Sequence, residues 1–322
     1  MRVVCSICGK SEVVYEFPLQ IDLSRRKTKT KALCKQCFNE YIMDKAFSEF
    51  DKLDLHSPKS VLVAYSGECD SAFMLTLLQE YKKQRNLDFT IYPTLVCHNS
   101  SKVAISRDKT ARQLTTLLGV PLKVLNAKDI LGKDSDEYFV TFRSSGYDLN
   151  KFNRCRVCGD IRDILLYSAR KALSTDLMVV GRNKDDEVAD YLLQLISPPH
   201  NMHIYETQAF LRYPIREFTD HEIRLYLELN SIPCSFERCV YEKFMPRREV
   251  SAWINNGKED IFELSNRLYG ARESVMKKQA KLSYTECPHC GFPHAKETSC
   301  PGCRLLKRYG LSSDEICKKI ID

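Results

Sequence analysis

The cysteines are the residues best able to do chemistry in this chain. Fifteen are present, and ten fall into five Cys-x-x-Cys pairs: Cys5/Cys8, Cys34/Cys37, Cys155/Cys158, Cys287/Cys290 and Cys300/Cys303. A Cys-x-x-Cys turn brings two thiolates to one metal ion, and two such knuckles complete a tetrahedral Zn²⁺ site. Cys5, Cys8, Cys34 and Cys37 are therefore expected to hold one Zn²⁺. Cys287, Cys290, Cys300 and Cys303 have zinc-ribbon spacing and are expected to hold a second. Closed four-cysteine sites leave no open position for catalysis. No signal-peptide pattern opens the chain, so metal ligation is expected rather than disulfides.

Two sets are incomplete. Arg154-Cys155-Arg156-Val157-Cys158-Gly159 carries a pair without a partner pair, ahead of a helix expected at 161–173. A place near a helix N-terminus favours the Cys158 thiolate. Taken alone, this pair fits a third zinc knuckle or a redox pair. The segment 235–241 carries Cys239, and Pro246-Arg247-Arg248-Glu249-Val250 follows. A single cysteine is usually a small buried hydrophobe, but this segment is basic and polar.

A different chemistry is written at Val61-Leu62-Val63-Ala64-Tyr65-Ser66-Gly67-Glu68-Cys69-Asp70-Ser71. The aliphatic run reads as a buried strand, and residues 72–78 read as a helix. A strand entering a helix through small residues presents N–H groups to phosphate. Gly67 allows close approach, and Ser66 and Ser71 add hydroxyls. Asp70 suits an anion site only beside a cation such as Mg²⁺. No Gly-Lys-Ser/Thr follows, so this is not the Walker pattern. The loop resembles Ser-Gly-Gly-x-Asp-Ser of the PP-loop ATPases (N-type ATP pyrophosphatases), with Glu68 for the second Gly and Cys69 where relatives often carry Lys. The plain alternative is a strand-turn-helix without a ligand.

The surrounding pattern supplies the frame. A helix is expected at 41–55. Strands are expected at 89–96, 121–125 and 177–180. A helix is expected at 106–118, with Ser106 as its N-cap and Gly119 as its end. Another follows Gly181, with Val188, Tyr191, Leu192 and Leu195 on one face. Alternating strands and helices predict a parallel sheet covered on both faces. Ligands then sit outside the carboxyl ends of the strands, so 66–71 and 181–187 should face one crevice. The expected division is an N-terminal zinc-binding module at 1–45, an α/β domain at 46–280 and a C-terminal zinc-binding module at 281–322.

The net charge is +7, with Arg25, Arg26, Lys27, Lys29, Lys31 and Lys35 in one short segment. That suits an acidic partner such as RNA; the plain alternative is a solvated loop or hairpin. No apolar run approaches 18 residues, so no membrane span is expected.

Over essentially its full length the chain resembles the TtuA/Ncs6 family of PP-loop tRNA 2-thiolation enzymes. The resemblance rests on the terminal cysteine pairs, the 66–71 loop, Cys155-x-x-Cys158-Gly159, Asn183-x-Asp185-Asp186-Glu187, and Cys239 followed by Arg247-Arg248-Glu249. It implies a Rossmann-like parallel-sheet PP-loop domain and a tRNA uridine 2-sulfurtransferase. In such an enzyme ATP adenylates the C2 oxygen of a uridine, and sulfur then displaces AMP. The resemblance implies a [4Fe–4S] cluster on Cys155, Cys158 and Cys239; a persulfide on one of them is the alternative. Asp70 and Asp186 are candidates for Mg²⁺ or positioning. Arg162, where some relatives carry Lys, is a catalytic candidate. Ser66, Gly67, Ser71, Gly181, Asn183 and Asp186 are candidates for ATP. Gly181-Arg182-Asn183 stands for the relatives' Gly-His-Asn, which moves a positive charge to Arg182. Glu68 should turn outward from a bound triphosphate, and a Cys69 pointing across the crevice would cap the open iron. The implied partners are tRNA and either a ubiquitin-like sulfur carrier or free sulfide, in a cytoplasmic homodimer. The rival reading is a non-catalytic tRNA-binding scaffold. A small-molecule amidotransferase would explain neither the zinc modules nor the basic segment.

Overall fold

The N-terminal cysteines bracket an antiparallel hairpin of β1 (Val13–Asp22) and β2 (Lys27–Cys34), paired from Val13 with Cys34 to Asp22 with Lys27. Helix α1 (Lys35–Asp51) follows at once. It begins earlier than the expected 41–55, because Cys34 ends the strand in extended geometry and serves as the N-cap. The computed structural model describes residues 4–10, 12–22, 27–53, 55, 57, 59–99, 101–146, 153–196, 210–241, 250, 284–295 and 300–321. Arg25, Arg26 and the Arg247-Arg248-Glu249 stretch lie outside the described residues.

The central region alternates as expected. It runs β3 (Ser60–Ala64), α2 (Cys69–Gln84), β4 (Thr90–Cys97), α3 (Lys102–Leu118) and β5 (Lys123–Asn126). Then come α4 (Ala127–Leu131), α5 (Ser135–Ser144), α6 (Arg154–Ala172), β6 (Leu177–Val180) and α7 (Lys184–Ile196). The region closes with β7 (Leu211–Arg212) and α8 (Asp220–Leu229). The C-terminal part holds β8 (Tyr284–Glu286), β9 (Pro293–Ala295), α9 (Pro301–Tyr309) and α10 (Ser313–Ile321).

One five-stranded parallel sheet has the order β5-β4-β3-β6-β7. Side chains of a strand alternate between faces, and the central strand β3 shows it. Val61 and Val63 join the core formed with α1, α2, α8 and the β1-β2 hairpin. Leu62 joins the opposite core with α5, α6 and the C-terminal helices. Each zinc-type module thus shares a core with one face of the sheet. Among the described residues no helix is long and apolar enough to cross a membrane.

Two helix starts differ from expectation, and both matter for the site. Helix α3 is capped by Ser101, whose Oγ accepts from the Ala104 N–H at 3.2 Å, rather than by Ser106; Gly119 ends it at φ +67°. Helix α6 begins at Arg154, not 161, because Asn153 caps it by accepting from the Arg156 N–H at 2.9 Å. Cys155 and Cys158 therefore lie inside its first two turns.

Candidate active site and metal centres

The loop after β3 is held by its own hydroxyls. Ser71 Oγ lies 3.1 Å from Ser66 Oγ, accepts from the Ser66 N–H at 3.2 Å and donates to the Glu68 carbonyl at 3.0 Å. Gly67 adopts φ +77°, and a Cβ there would stand 2.4 Å from the Arg107 carbonyl oxygen. No side chain fits between this turn and α3. The Ser235 N–H donates to the Gly67 carbonyl at 2.8 Å, and Glu68 bridges Ser235 in parallel.

The carboxyl end of β6 meets this loop. A Cβ on Gly181 would lie 3.1 Å from the Asp70 carbonyl carbon and from the Ser71 nitrogen. Asn183 Nδ2 donates to Asp70 at 3.2 and 3.3 Å, while Asn183 Oδ1 accepts from the Asp186 N–H at 2.8 Å. Asn183 thus ties the Asp70 carboxylate to the backbone of Asp186. Burial, followed by the charges of Asp186 and Asp220, pushes the Asp70 carboxyl well above the usual carboxylate range. A group so placed favours a cation beside it. Arg182 supplies no free charge here: its guanidinium is ion-paired with Glu187 and Asp190.

Glu68 extends to Arg107, with Oε1 2.7 Å from Nη1. Cys69, the first residue of α2, does not cross the crevice. Its Sγ is buried 3.3 Å from Cys234 Sγ and 3.6 Å from the Ser235 carbonyl. The hydrogen bond to Cys234 raises the Cys69 thiol, and the same bond lowers Cys234.

The second half of the site lies at the start of α6. Cys155 Sγ is 3.6 Å from the Tyr241 carbonyl, and Cys158 Sγ is 3.4 Å from Ser135 Oγ. Arg154 stacks between the rings of Phe139 and Tyr241, its guanidinium 4.9 Å from each centroid, and pairs with Asp136. Residues 239–241 are thereby set against the first turns of α6. Burial raises the Cys158 thiol despite the helix N-terminus, and the charge of Cys239 adds to it. Because α6 starts at Arg154, Cys158 lies inside the helix rather than ahead of it. Arg162, exposed on α6, is paired with Asp163 at 3.2 Å, and Glu68 and Cys158 are among the further charges that it feels.

The chain's relatives bear on this arrangement. A scan against family profiles finds no match. A probable sulfurtransferase of Methanocaldococcus jannaschii is 23% identical over 300 residues, spanning 90% of this chain and 84% of that protein. Cytoplasmic tRNA 2-thiolation protein 1 of Drosophila melanogaster is 22% identical over 329 residues, spanning 95% of this chain and 88% of its own. These relatives bear out the resemblance to the TtuA/Ncs6 family. The solved structure of the U34-tRNA thiolase NcsA from Methanococcus maripaludis, with its [4Fe-4S] cluster, superposes at a TM-score of 0.72 and 21% identity, covering 95% of this chain and 97% of that one. It shows that this chain has the PP-loop fold.

Two four-cysteine sets are assembled. Cys5, Cys8, Cys34 and Cys37 have their sulfurs within 4.8 Å of one another, as do Cys287, Cys290, Cys300 and Cys303. A Zn²⁺ with Zn–S of about 2.3 Å sets sulfurs about 3.8 Å apart at tetrahedral angles. The separations are 3.6 Å for Cys8 to Cys34, 3.5 Å for Cys287 to Cys303 and 3.4 Å for Cys290 to Cys300. The residues fit the ion. The knuckle N–H of Cys8 draws the Cys5 thiol down to about 6; at Cys287 burial opposes ionisation, but the N–H groups of Cys290 and His289 outweigh it, again to about 6. Among the described residues no third set is this tight. Cys155, Cys158 and Cys239 are not among these tight sets; Cys155 meets the segment carrying Cys239 at the Tyr241 carbonyl.

Sequence reasoning missed three participants. Arg107 and Cys234 are far in sequence from the loop they touch. His98, just past β4, lies half-buried with Nδ1 3.3 Å from the Val96 carbonyl; burial lowers its pKa, and the Arg162 and Arg107 charges add to the effect. Its position at the carboxyl end of a parallel strand was the available signal.

Proposed function

We propose that this chain is a tRNA uridine 2-sulfurtransferase that makes 2-thiouridine at the expense of ATP. One observation carries the reading: the segment 235–241 touches the phosphate loop at one end, through Ser235 N–H to the Gly67 carbonyl, and the Cys155 end of α6 at the other, through the Tyr241 carbonyl. An activating site and a thiol site thus share one wall.

In this reading ATP lies with its phosphates over 66–71, where the N-terminus of α2 favours negative charge. Ser66, Gly67 and Ser71 bind from the loop, and Gly181 and Asn183 from the end of β6. Asp70 and Asp186 hold Mg²⁺. The target uridine leaves its stack to enter the crevice. Its C2 oxygen attacks the α-phosphorus, pyrophosphate leaves, and the adenylated oxygen becomes a good leaving group. Donors on the loop stabilise the charge that develops on pyrophosphate. Sulfur then adds at C2 and AMP departs. Cys155, Cys158 and Cys239 would hold a [4Fe–4S] cluster, which supplies an iron open to hydrosulfide. Arg162, which feels the charges of Glu68 and Cys158, places a positive charge where adenylate must sit. Two Zn²⁺ ions hold the terminal modules, with boundaries proposed at 1–45, 46–280 and 281–322. tRNA as substrate, a cytoplasmic setting, a homodimer, and sulfide or a ubiquitin-like carrier as sulfur source belong to the same proposal. The relatives' names, tRNA 2-thiolation protein and sulfurtransferase, support catalysis over a scaffold role.

The test is mass spectrometry of tRNA nucleosides from cells lacking the gene, complemented with wild type or with Cys239→Ala. Wild type should restore 2-thiouridine and Cys239→Ala should not, while ATP binding by the purified variant persists. Full restoration by Cys239→Ala would mean a scaffold; unchanged 2-thiouridine in the deletion strain would remove the function altogether.

A further inference from the structure

Cys69 and Cys234 belong to neither four-cysteine set nor to the Cys155, Cys158 and Cys239 group, yet their sulfurs stand 3.3 Å apart across 165 residues of sequence. Both are free thiols. Their backbones are already joined beside them, by the Ser235 N–H to the Gly67 carbonyl at 2.8 Å and by the Glu68–Ser235 bridge. We propose that Cys69 and Cys234 form a reversible disulfide that locks the 66–71 loop to the segment carrying Cys239.

The two sulfurs have unequal access. Cys69 is buried at 5% exposure in the first turn of α2, whereas Cys234 is partly exposed. Cys234 also has the Arg224 guanidinium in its field, a charge that favours a thiolate. A reachable thiolate beside a buried resolving thiol is the arrangement of a redox-responsive pair. The oxidant is a low-molecular-weight disulfide, RSSR. Cys234 attacks one of its sulfurs, the S–S bond breaks and RS⁻ leaves, giving a mixed disulfide on Cys234. Cys69 gives up its proton and attacks the Cys234 sulfur, expelling the second RS⁻. The protein loses two protons and two electrons, and RSSR gains them as two RSH. The sulfurs need only close from 3.3 Å to a bond of about 2.05 Å. The bond would hold the first turn of α2 and the 232–239 segment as one unit. Any effect of it on nucleotide rests on the ATP reading above; the bond itself does not.

The experiment treats the purified, zinc-loaded chain with glutathione disulfide under nitrogen, blocks residual thiols and maps peptides by mass spectrometry. The expected result is a joined Cys69–Cys234 peptide, lighter by two hydrogens and separated again by dithiothreitol. Cys69→Ser should stop at one glutathione on Cys234, and Cys234→Ser should leave Cys69 unmodified. Hydrogen exchange across 66–71 should slow in the oxidised wild type. Recovery of both cysteines as blocked free thiols, or linkage of Cys234 to another cysteine, would overturn the proposal. ATP calorimetry on the reduced chain tests the nucleotide site separately.

Discussion

Glu68 Oε1 lies 2.7 Å from Arg107 Nη1, and that contact joins the third residue of the phosphate turn to the helix packed over it. A carboxylate in place of a glycine would repel a triphosphate. Arg107 neutralises it and draws it toward α3. Arg107→Ala should therefore weaken MgATP binding by about fivefold, near 1 kcal/mol for an unneutralised like charge in solvent. Calorimetry of Arg107→Ala and of the double variant with Glu68→Gly checks this. The second change should recover most of the loss, and a double variant as weak as the single one would assign Arg107 another role.

Gly67 has no room for a side chain. At φ +77° and 2.4 Å from the Arg107 carbonyl, an alanine Cβ must displace the turn from α3. Gly67→Ala should lower stability by about 1–3 kcal/mol and abolish ATP binding. The urea midpoint and calorimetry read the two effects; unchanged values in both would mean that the turn is free to move.

Glu222 anchors the N-terminal helix to α8. Its buried carboxylate takes Lys45 Nζ at 2.9 Å and the Tyr41 hydroxyl at 2.8 Å. Burial alone would raise its pKa. The Lys45 charge, with the Thr219 N–H, wins and holds the carboxyl below its ordinary value of 4.5. A depressed carboxyl contributes stability that is present above its unfolded value and lost as pH falls through the folded one. Glu222→Gln should cost about 3–5 kcal/mol near neutrality, because it leaves Lys45 buried without its partner. It should also flatten the loss of stability below pH 4.5. Urea unfolding between neutral pH and pH 3 measures both.

Zinc content follows from the two cysteine sets. Metal analysis should give two Zn²⁺ per chain. Cys290→Ser, at a sulfur 1% exposed, should reduce this to one and expose the C-terminal part to proteolysis while the β1-β2 hairpin keeps its ion. Two retained ions would place the second site elsewhere.

What was readable from sequence followed local pattern. β6 matched its aliphatic run residue for residue, and Gly119 ended α3 as a left-handed cap should. The 66–71 and 181–187 stretches meet through Asn183 and Asp70 because parallel-sheet topology puts strand ends together. The start of α6 was misread because Arg154 to Gly159 has no apolar periodicity, although Asn153 is an ordinary N-cap type. The Arg107 and Cys234 contacts were invisible for a deeper reason. Each joins residues that only the finished fold brings together, and nothing in their neighbours' identities announces the distant partner.

Helix α6 is gripped from behind by the C-terminal part. Arg170 reaches Glu286 at 2.6 Å, Asp160 accepts from the Tyr309 hydroxyl at 3.1 Å, and Tyr167 packs on Phe292 with centroids 4.2 Å apart. The same helix carries Cys155 and Cys158 at its front. On the proposed reading, the rear cysteine knuckles would be a prerequisite for maturation: a nascent chain without a metal there would lack a firm seat for the helix that carries Cys155 and Cys158. Metals would enter in a fixed sequence, zinc before iron, and a cell starved of zinc would accumulate immature chains even with iron in surplus.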